Sequence, residues 1–270
     1  MSNAPRADLT GWTCAPFTGG GYTHDVYRRD PDTPGPGVVL IPEMPGLTPE
    51  VLALGNHLVD NGFTVASPSL YGTPGAASQR PGMVPVMVRG CVTKEFAAFA
   101  TNKKRPVTYF LRALARDLNE KTPGRGVGVI GQCWSGGFAL AAAVDDAVLA
   151  PVLSQPSLPI GLTAAQRRDP GLSEDELQVV ERRAAEEGLC ALGLRFSEDR
   201  MAPGDRFKTL KDRLGDAFEV IEIDSRPGNS GGFGKMAHSV LTLEVREVEG
   251  QQAYQARERV VQFLKERLTV

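Results

Sequence analysis

Histidine is scarce in this sequence. Three occur in 270 residues, His24, His57 and His238, so chemistry that needs an imidazole has few places to be. Cysteine is sparse as well: Cys14, Cys91, Cys133 and Cys190 are scattered, with no C-x-x-C pair. That leaves neither a disulfide framework nor a zinc-site spacing, and points to free thiols in a reducing compartment. Charge of one sign is missing too. The 30 Lys plus Arg stand against 32 Asp plus Glu, a net charge of −2, which gives no pull towards nucleic acid or an anionic membrane. No apolar run approaches the ~18 residues of a membrane span. The opening MSNAPRADLTGW lacks the apolar core of a signal peptide. The expectation is a cytoplasmic protein with no membrane or nucleic-acid partner, no metal and no cofactor.

What is present is an ordinary globular composition, 41% hydrophobic and 23% charged, long enough for one large core. With no internal repeat and no linker, residues 1–270 read as a single domain. Strand-like runs alternate with helical ones, which predicts a mostly parallel, twisted sheet with helices on both faces. GVVLIPE (37–43), FTVASPSL (63–70) and GVGVIG (126–131) read as strands, with later ones over 148–153, 189–196 and 218–223. Thr48 and Pro49 open a helix that carries Val51, Leu54 and Leu58 on one face and stops at Gly62. Further helices are predicted over 105–119, 138–144 and 252–268, and Ser173 with Glu176 caps another. Two segments break the rhythm. Residues 72–104, rich in Gly and Pro and then apolar (Met83, Val86, Val88, Phe96, Phe99), read as a flap, and 226–235 as a glycine-rich loop.

The stretch GVGVIGQCWSGG (126–137) carries the chemistry. Its G-x-G-x-x-G spelling suggests a dinucleotide site, but the first two glycines fall within the strand rather than in the turn after it, and no acid-tipped strand follows ~20 residues on. A nucleophile turn fits better: an apolar strand, small-x-nucleophile-x-small, then a helix. Gly131 and Ser135 take the small positions and Cys133 the apex. Placing Ser135 at the apex would leave two extra residues between strand and turn. On spacing alone, a buried structural cysteine is an equal reading. The partners decide. In such folds the chain order is nucleophile, acid, histidine, and His238, in KMAHSVL, is the one histidine downstream of Cys133. His24 and His57 read as structural or exposed. CALGLRF (190–196) then SEDRMAP puts Asp199 just past a strand, with Glu198 and Asp205 as competitors.

Together these features resemble the dienelactone hydrolase family of α/β hydrolases, over nearly the whole chain: GWTCAPF, PEMPGLTPE, GQCWSGGFAL, SEDRMAP and AHSVL. The resemblance implies an α/β-hydrolase fold and a Cys133–Asp199–His238 triad. It further implies that Glu43 contacts the resting thiol, and that the backbone N–H groups of Met44 and Trp134 form an oxyanion hole. Glu43, at a strand end before Pro-Gly, also reads as a helix cap. The expected activity is hydrolysis of a small-molecule ester or lactone through a thioester acyl-enzyme, by a monomer or homodimer. An acyltransferase or thioesterase on the same fold, and a non-catalytic binding protein, are the alternatives. A redox role for Cys133 is weak without a nearby resolving cysteine. In one respect the chain departs from the family. Two arginines that anchor a substrate carboxylate there are matched here by Thr73, in SLYGT, and Thr242, while Arg89 and Lys235 are cations not aligned by motif. The departure predicts neutral or apolar substrates.

Overall fold

The structure is a computed structural model that describes residues 8–77, 96 and 99–269. Among the described residues, eight strands, β1 (Thr13–Gly19), β2 (Tyr22–Arg29), β3 (Gly37–Ile41), β4 (Thr64–Pro68), β5 (Val127–Gln132), β6 (Val148–Ser154), β7 (Ala191–Phe196) and β8 (Phe218–Ile223), form one sheet in the order β1-β2-β4-β3-β5-β6-β7-β8. From β4 to β8 every pairing is parallel. The β1–β2 hairpin closes one edge, antiparallel to itself and to β4.

Strand alternation explains how one sheet feeds two cores. All five residues of β3 are buried; Val39 and Ile41 join one apolar cluster, Val38 and Leu40 the other, as a period of two requires. Among the described residues there are seven helices: α1 (Pro49–Asp60), α2 (Val107–Lys121), α3 (Gly136–Ala142), α4 (Ala164–Arg168), α5 (Glu174–Glu187), α6 (Gly204–Leu214) and α7 (Gln252–Leu268). Val51, Leu54 and Leu58 of α1 share a cluster with Val260, Val261 and Leu264 of α7. Leu111 and Leu114 of α2, Phe138 of α3, Val180 of α5 and Phe207 of α6 share the other. This is the α/β-hydrolase architecture, helices on both faces of a mostly parallel sheet.

The expected caps form. Thr48 accepts from Val51 N with Pro49 in the first turn, and Ser173 and Glu176 make the capping box that opens α5. The β1–β2 hairpin, α4 and α6 are additions to the expected elements. The hairpin is half-exposed and carries few apolar residues, so alternation gives little sign of it. Its turn is Gly20-Gly21, both at positive φ (58 and 85), which is what a two-residue loop between right-twisted strands requires. Of the expected 72–104 flap, 72–77, 96 and 99–104 are described. Phe96 lies against Phe138 and Tyr71, with ring centroids 6.2 and 5.8 Å apart. Met83, Val86, Val88, Arg89 and Cys91 lie outside the described residues. Among the described residues, no helix is long and apolar enough to cross a membrane.

Candidate active site

The site is built at the C-terminal ends of the parallel strands. β5 runs through Gln132 into a single 3-10 turn, Cys133–Ser135, and α3 begins at Gly136. Cys133 sits at φ 50, a left-handed backbone that costs a non-glycine residue on the order of 1–3 kcal/mol. The turn needs small neighbours. A Cβ on Gly131 would lie 2.3 Å from Ser135 O, and one on Gly136 2.6 Å from the Cα of Pro156. Ser135 holds the turn closed. Its Oγ accepts from Gln132 N at 2.9 Å and faces the carbonyls of Gln132, Pro42 and Ile41 at 2.9, 3.1 and 3.2 Å. Ser135 is fully buried, whereas the Cys133 side chain is half-buried and free. One serine thus ties the turn to the end of β3, and the cysteine is left at the tip.

His238 lies in the loop between β8 and α7, and its Nδ1 is 2.6 Å from Asp199 Oδ2. Asp199 stands three residues beyond β7, 6% exposed, and its other oxygen accepts from Met201 N at 2.9 Å. The opposite ring nitrogen, Nε2, is buried with no well-aligned partner. Burial alone would lower the basicity of the imidazole. The charge of the adjacent Cys133 sulfur and the bond to Asp199 outweigh it, so that the ring is pushed up to about 11. The thiol acts on the ring chiefly through charge, and Nε2 makes no formed hydrogen bond. Cys133, His238 and Asp199, read from distant parts of the sequence, therefore meet.

The rival residues do not meet there. Glu198 donates its N–H to Ser225 Oγ, and Asp205 opens α6, exposed, 3.4 Å from Arg167. His57 pairs with Glu258 across α1 and α7 at 3.1 Å, and His24 sits in β2 against Tyr22 and Phe110.

Glu43 is buried among hydrogen-bond donors. Its carboxylate accepts from Ser239 Oγ at 2.8 Å, from Thr242 Oγ1, and from Gln155 Nε2 at 3.3 Å. None of its hydrogen bonds goes to the thiol. Three donors converging from the β6 end and the histidine loop fix it on that side. Burial pushes its carboxyl above the ordinary range, and the three donors and His238 offset only part of that. Met44 and Trp134, whose amides are the expected oxyanion donors, are buried in one apolar cluster against which Cys133 packs. Tyr71 was not anticipated as a neighbour. Its hydroxyl donates to Pro42 O, and burial, followed by the nearby Cys133 and Glu43, pushes the phenol well above its ordinary range. Among the described residues, no group of three or more His, Cys, Asp or Glu could hold a metal ion.

The class of protein that this fold and site define is the α/β hydrolase. More narrowly, the sequence model of the dienelactone hydrolase family matches residues 25–268. The chain belongs to that family and is a hydrolase acting on ester bonds. Solved structures of similar fold include a dienelactone hydrolase from Anabaena variabilis (TM-score 0.61, 14% identity, covering 95% of this chain and 98% of that one). A dienelactone hydrolase-like promiscuous phosphotriesterase from metagenomic libraries gives a TM-score of 0.62 at 16% identity, over 95% and 98% of the two chains. An α/β serine hydrolase homologue from Coxiella burnetii gives 0.55 at 11%, over 93% and 97%. Among curated proteins, none matches the sequence.

Proposed function

We propose that the protein hydrolyses small esters or lactones with Cys133 as nucleophile, His238 as proton carrier and Asp199 as the residue that orients the imidazole. One observation carries the reading: Cys133 stands at φ 50 on a strand-to-helix turn, beside an imidazole whose far nitrogen is bonded to a carboxylate at 2.6 Å. A thiol needs to ionise to attack, and an adjacent imidazolium favours that state. The thiolate adds to the substrate carbonyl and the oxygen takes the negative charge. In this reading the Met44 and Trp134 amides receive it, each donor lowering the barrier by on the order of 3–4 kcal/mol. Collapse expels the alkoxide, which takes the proton from His238, and leaves a thioester on Cys133. Water, losing its proton to His238, then adds to the thioester; collapse releases the acid and regenerates the thiolate–imidazolium pair. The bond to Asp199 keeps Nδ1 protonated, so that Nε2 is the nitrogen that trades protons.

Ser135 is the competing nucleophile that a serine-hydrolase neighbour brings to mind. Its full burial, with the hydroxyl facing three backbone carbonyls, speaks against it. Intact-mass trapping with p-nitrophenyl acetate tests the reading. An acetyl adduct mapped to Cys133 and absent from Cys133→Ala is expected; an adduct on Ser135 overturns it.

A further inference from the structure

Cys133 is not alone among strand ends in holding a left-handed backbone without being glycine. Gln155 follows β6 directly, at φ 35, and is fully buried. A glycine there would adopt the conformation without penalty, so the side chain has to return something for the strain. It spans three parts of the molecule. Oε1 accepts from Ser154 Oγ and, at 3.4 Å, from Val240 N in the histidine loop, while Nε2 donates to Glu43 at 3.3 Å beyond the end of β3. Its own N–H is anchored on Leu194 O of β7 at 2.7 Å.

Glu43 is the point on which this amide and two hydroxyls close. It is 5% exposed and takes donors from Gln155, Ser239 and Thr242, with no Lys or Arg paired to it among the described residues. A buried carboxylate without donors would take up a proton. Two of the three donors, Ser239 and Thr242, come from the segment that carries His238. The histidine in turn faces Asp199 and Cys133 directly and Glu244 through space, and Glu43 faces His238 and Tyr71. Among these, His238 is the cation.

We propose that Gln155, Ser239 and Thr242 are positioning residues that favour the ionised form of Glu43 against the pull of burial, so that the catalytic imidazolium keeps its proton under the influence of Glu43 as well as Asp199. Asp199 acts by direct contact; Glu43 acts through space, and its charge depends on the three donors. The imidazolium needs its proton until the leaving alkoxide takes it. The clamp therefore serves the step in which the acyl-enzyme forms, and the inference rests on the role assigned to His238 above.

Two spectroscopic measurements on the full chain test it without relying on turnover. The infrared carboxylic-acid band lost in Glu43→Gln reports the protonation of Glu43. Thr242→Val removes one donor to the charged form, and its midpoint should rise by about one pH unit, since such a bond contributes about 1.5–3 kcal/mol and a unit is 1.36 kcal/mol. Thr242→Ser, which keeps the hydroxyl, should return it to the wild-type position. Nitrogen NMR of the imidazoles, simple with three histidines, reports the second link. Glu43→Gln should lower the His238 midpoint by about one pH unit, and adding Thr242→Val should lower it no further. Equal Glu43 midpoints in wild type and Thr242→Val overturn the clamp, and an unmoved His238 in Glu43→Gln overturns its purpose. If Gln155→Leu does not fold, the Thr242 pair still decides. An acyl adduct on a residue other than Cys133 is a separate failure, of the nucleophile assignment.

Discussion

β5 and β6 are adjacent parallel strands that end alike and are used in opposite ways. Each runs into a non-glycine residue at positive φ, Cys133 at 50 and Gln155 at 35. At the end of β5 the strained turn aims its side chain outward: the sulfur is half-buried at a tip, and the tip is enforced by its own segment, through Gly131, Ser135 and Gly136. At the end of β6 the strained turn aims its side chain inward, and the conformation is enforced by groups far off in sequence: Leu194 O, Val240 N and Glu43. Strain is held in both places because the surroundings over-determine it. One end presents an atom for chemistry, and the other locks together the loops that surround that atom.

The contrast implies unequal penalties. Cys133→Ala should lose at least ~10³-fold in kcat/KM, in line with the loss of a nucleophile that acts as part of a unit. The same variant should move His238. With the ring pushed up to about 11, and the Cys133 charge the largest cause acting upward, deleting the thiol takes away that cause, so the NMR midpoint of His238 falls. An upward shift means that the folded site favours the imidazolium, so its loss shows as a descent from the alkaline side. A midpoint that stays in place would show that the sulfur and the ring do not form a pair.

Asp199→Asn comes next, at about 10²–10³-fold in kcat, because an amide can present the wrong atom to Nδ1 and stabilise the unproductive tautomer. Glu198→Gln should cost less than threefold, since Glu198 does not reach His238. The reverse ranking would move the acid by one residue and break the site as described.

Legibility follows the same division. The β5 end could be read because the residues that make the turn, Gly131 to Gly136, lie within six positions, and the required partner types are so rare that His238 had no downstream competitor. Asp199 could be placed by its position after an apolar strand. The β6 end could not be read. SQPSLP carries no periodic or motif signal, and Gln155 acquires its role from partners that only the fold brings near. Thr242 was legible as a departure from the family's arginine, but not as a donor to Glu43. The β1–β2 hairpin stayed hidden because its strands are polar and exposed, although Gly20-Gly21 was the available clue. The helix α6 carried a readable pattern in Phe207, Leu210 and Leu214.

Ser135 sharpens the comparison inside the β5 end itself. Ser135→Ala strips the turn of the hydroxyl that receives Gln132 N and reaches β3, and leaves that N–H buried. The expected cost is about 1–3 kcal/mol of stability, read as a lower urea midpoint at unchanged slope. The acyl adduct should still form on Cys133. Wild-type stability combined with loss of the adduct would give Ser135 the chemistry and Cys133 the packing.

The smallest effect concerns what enters the site. A carboxylate-bearing substrate needs a bidentate cation to offset its desolvation, which a guanidinium supplies and a hydroxyl does not. At the two aligned positions this chain offers Thr73, which is exposed, and Thr242, which is buried and already committed to Glu43. The nearby carboxyl groups are Glu43 and Asp199, and the described cation among them is His238, already engaged by Asp199, so an anionic ligand would lack the guanidinium that the family resemblance implies. Comparing cis-dienelactone with its own methyl ester changes the charge and leaves the lactone ring as it is. The neutral compound should win by about tenfold in kcat/KM, equivalent to about 1.4 kcal/mol, with the difference appearing in KM. A preference for the free acid would require a cation at the mouth. Lys235, exposed three residues before His238, and Arg89 are the two residues whose alanine variants would then have to abolish that preference.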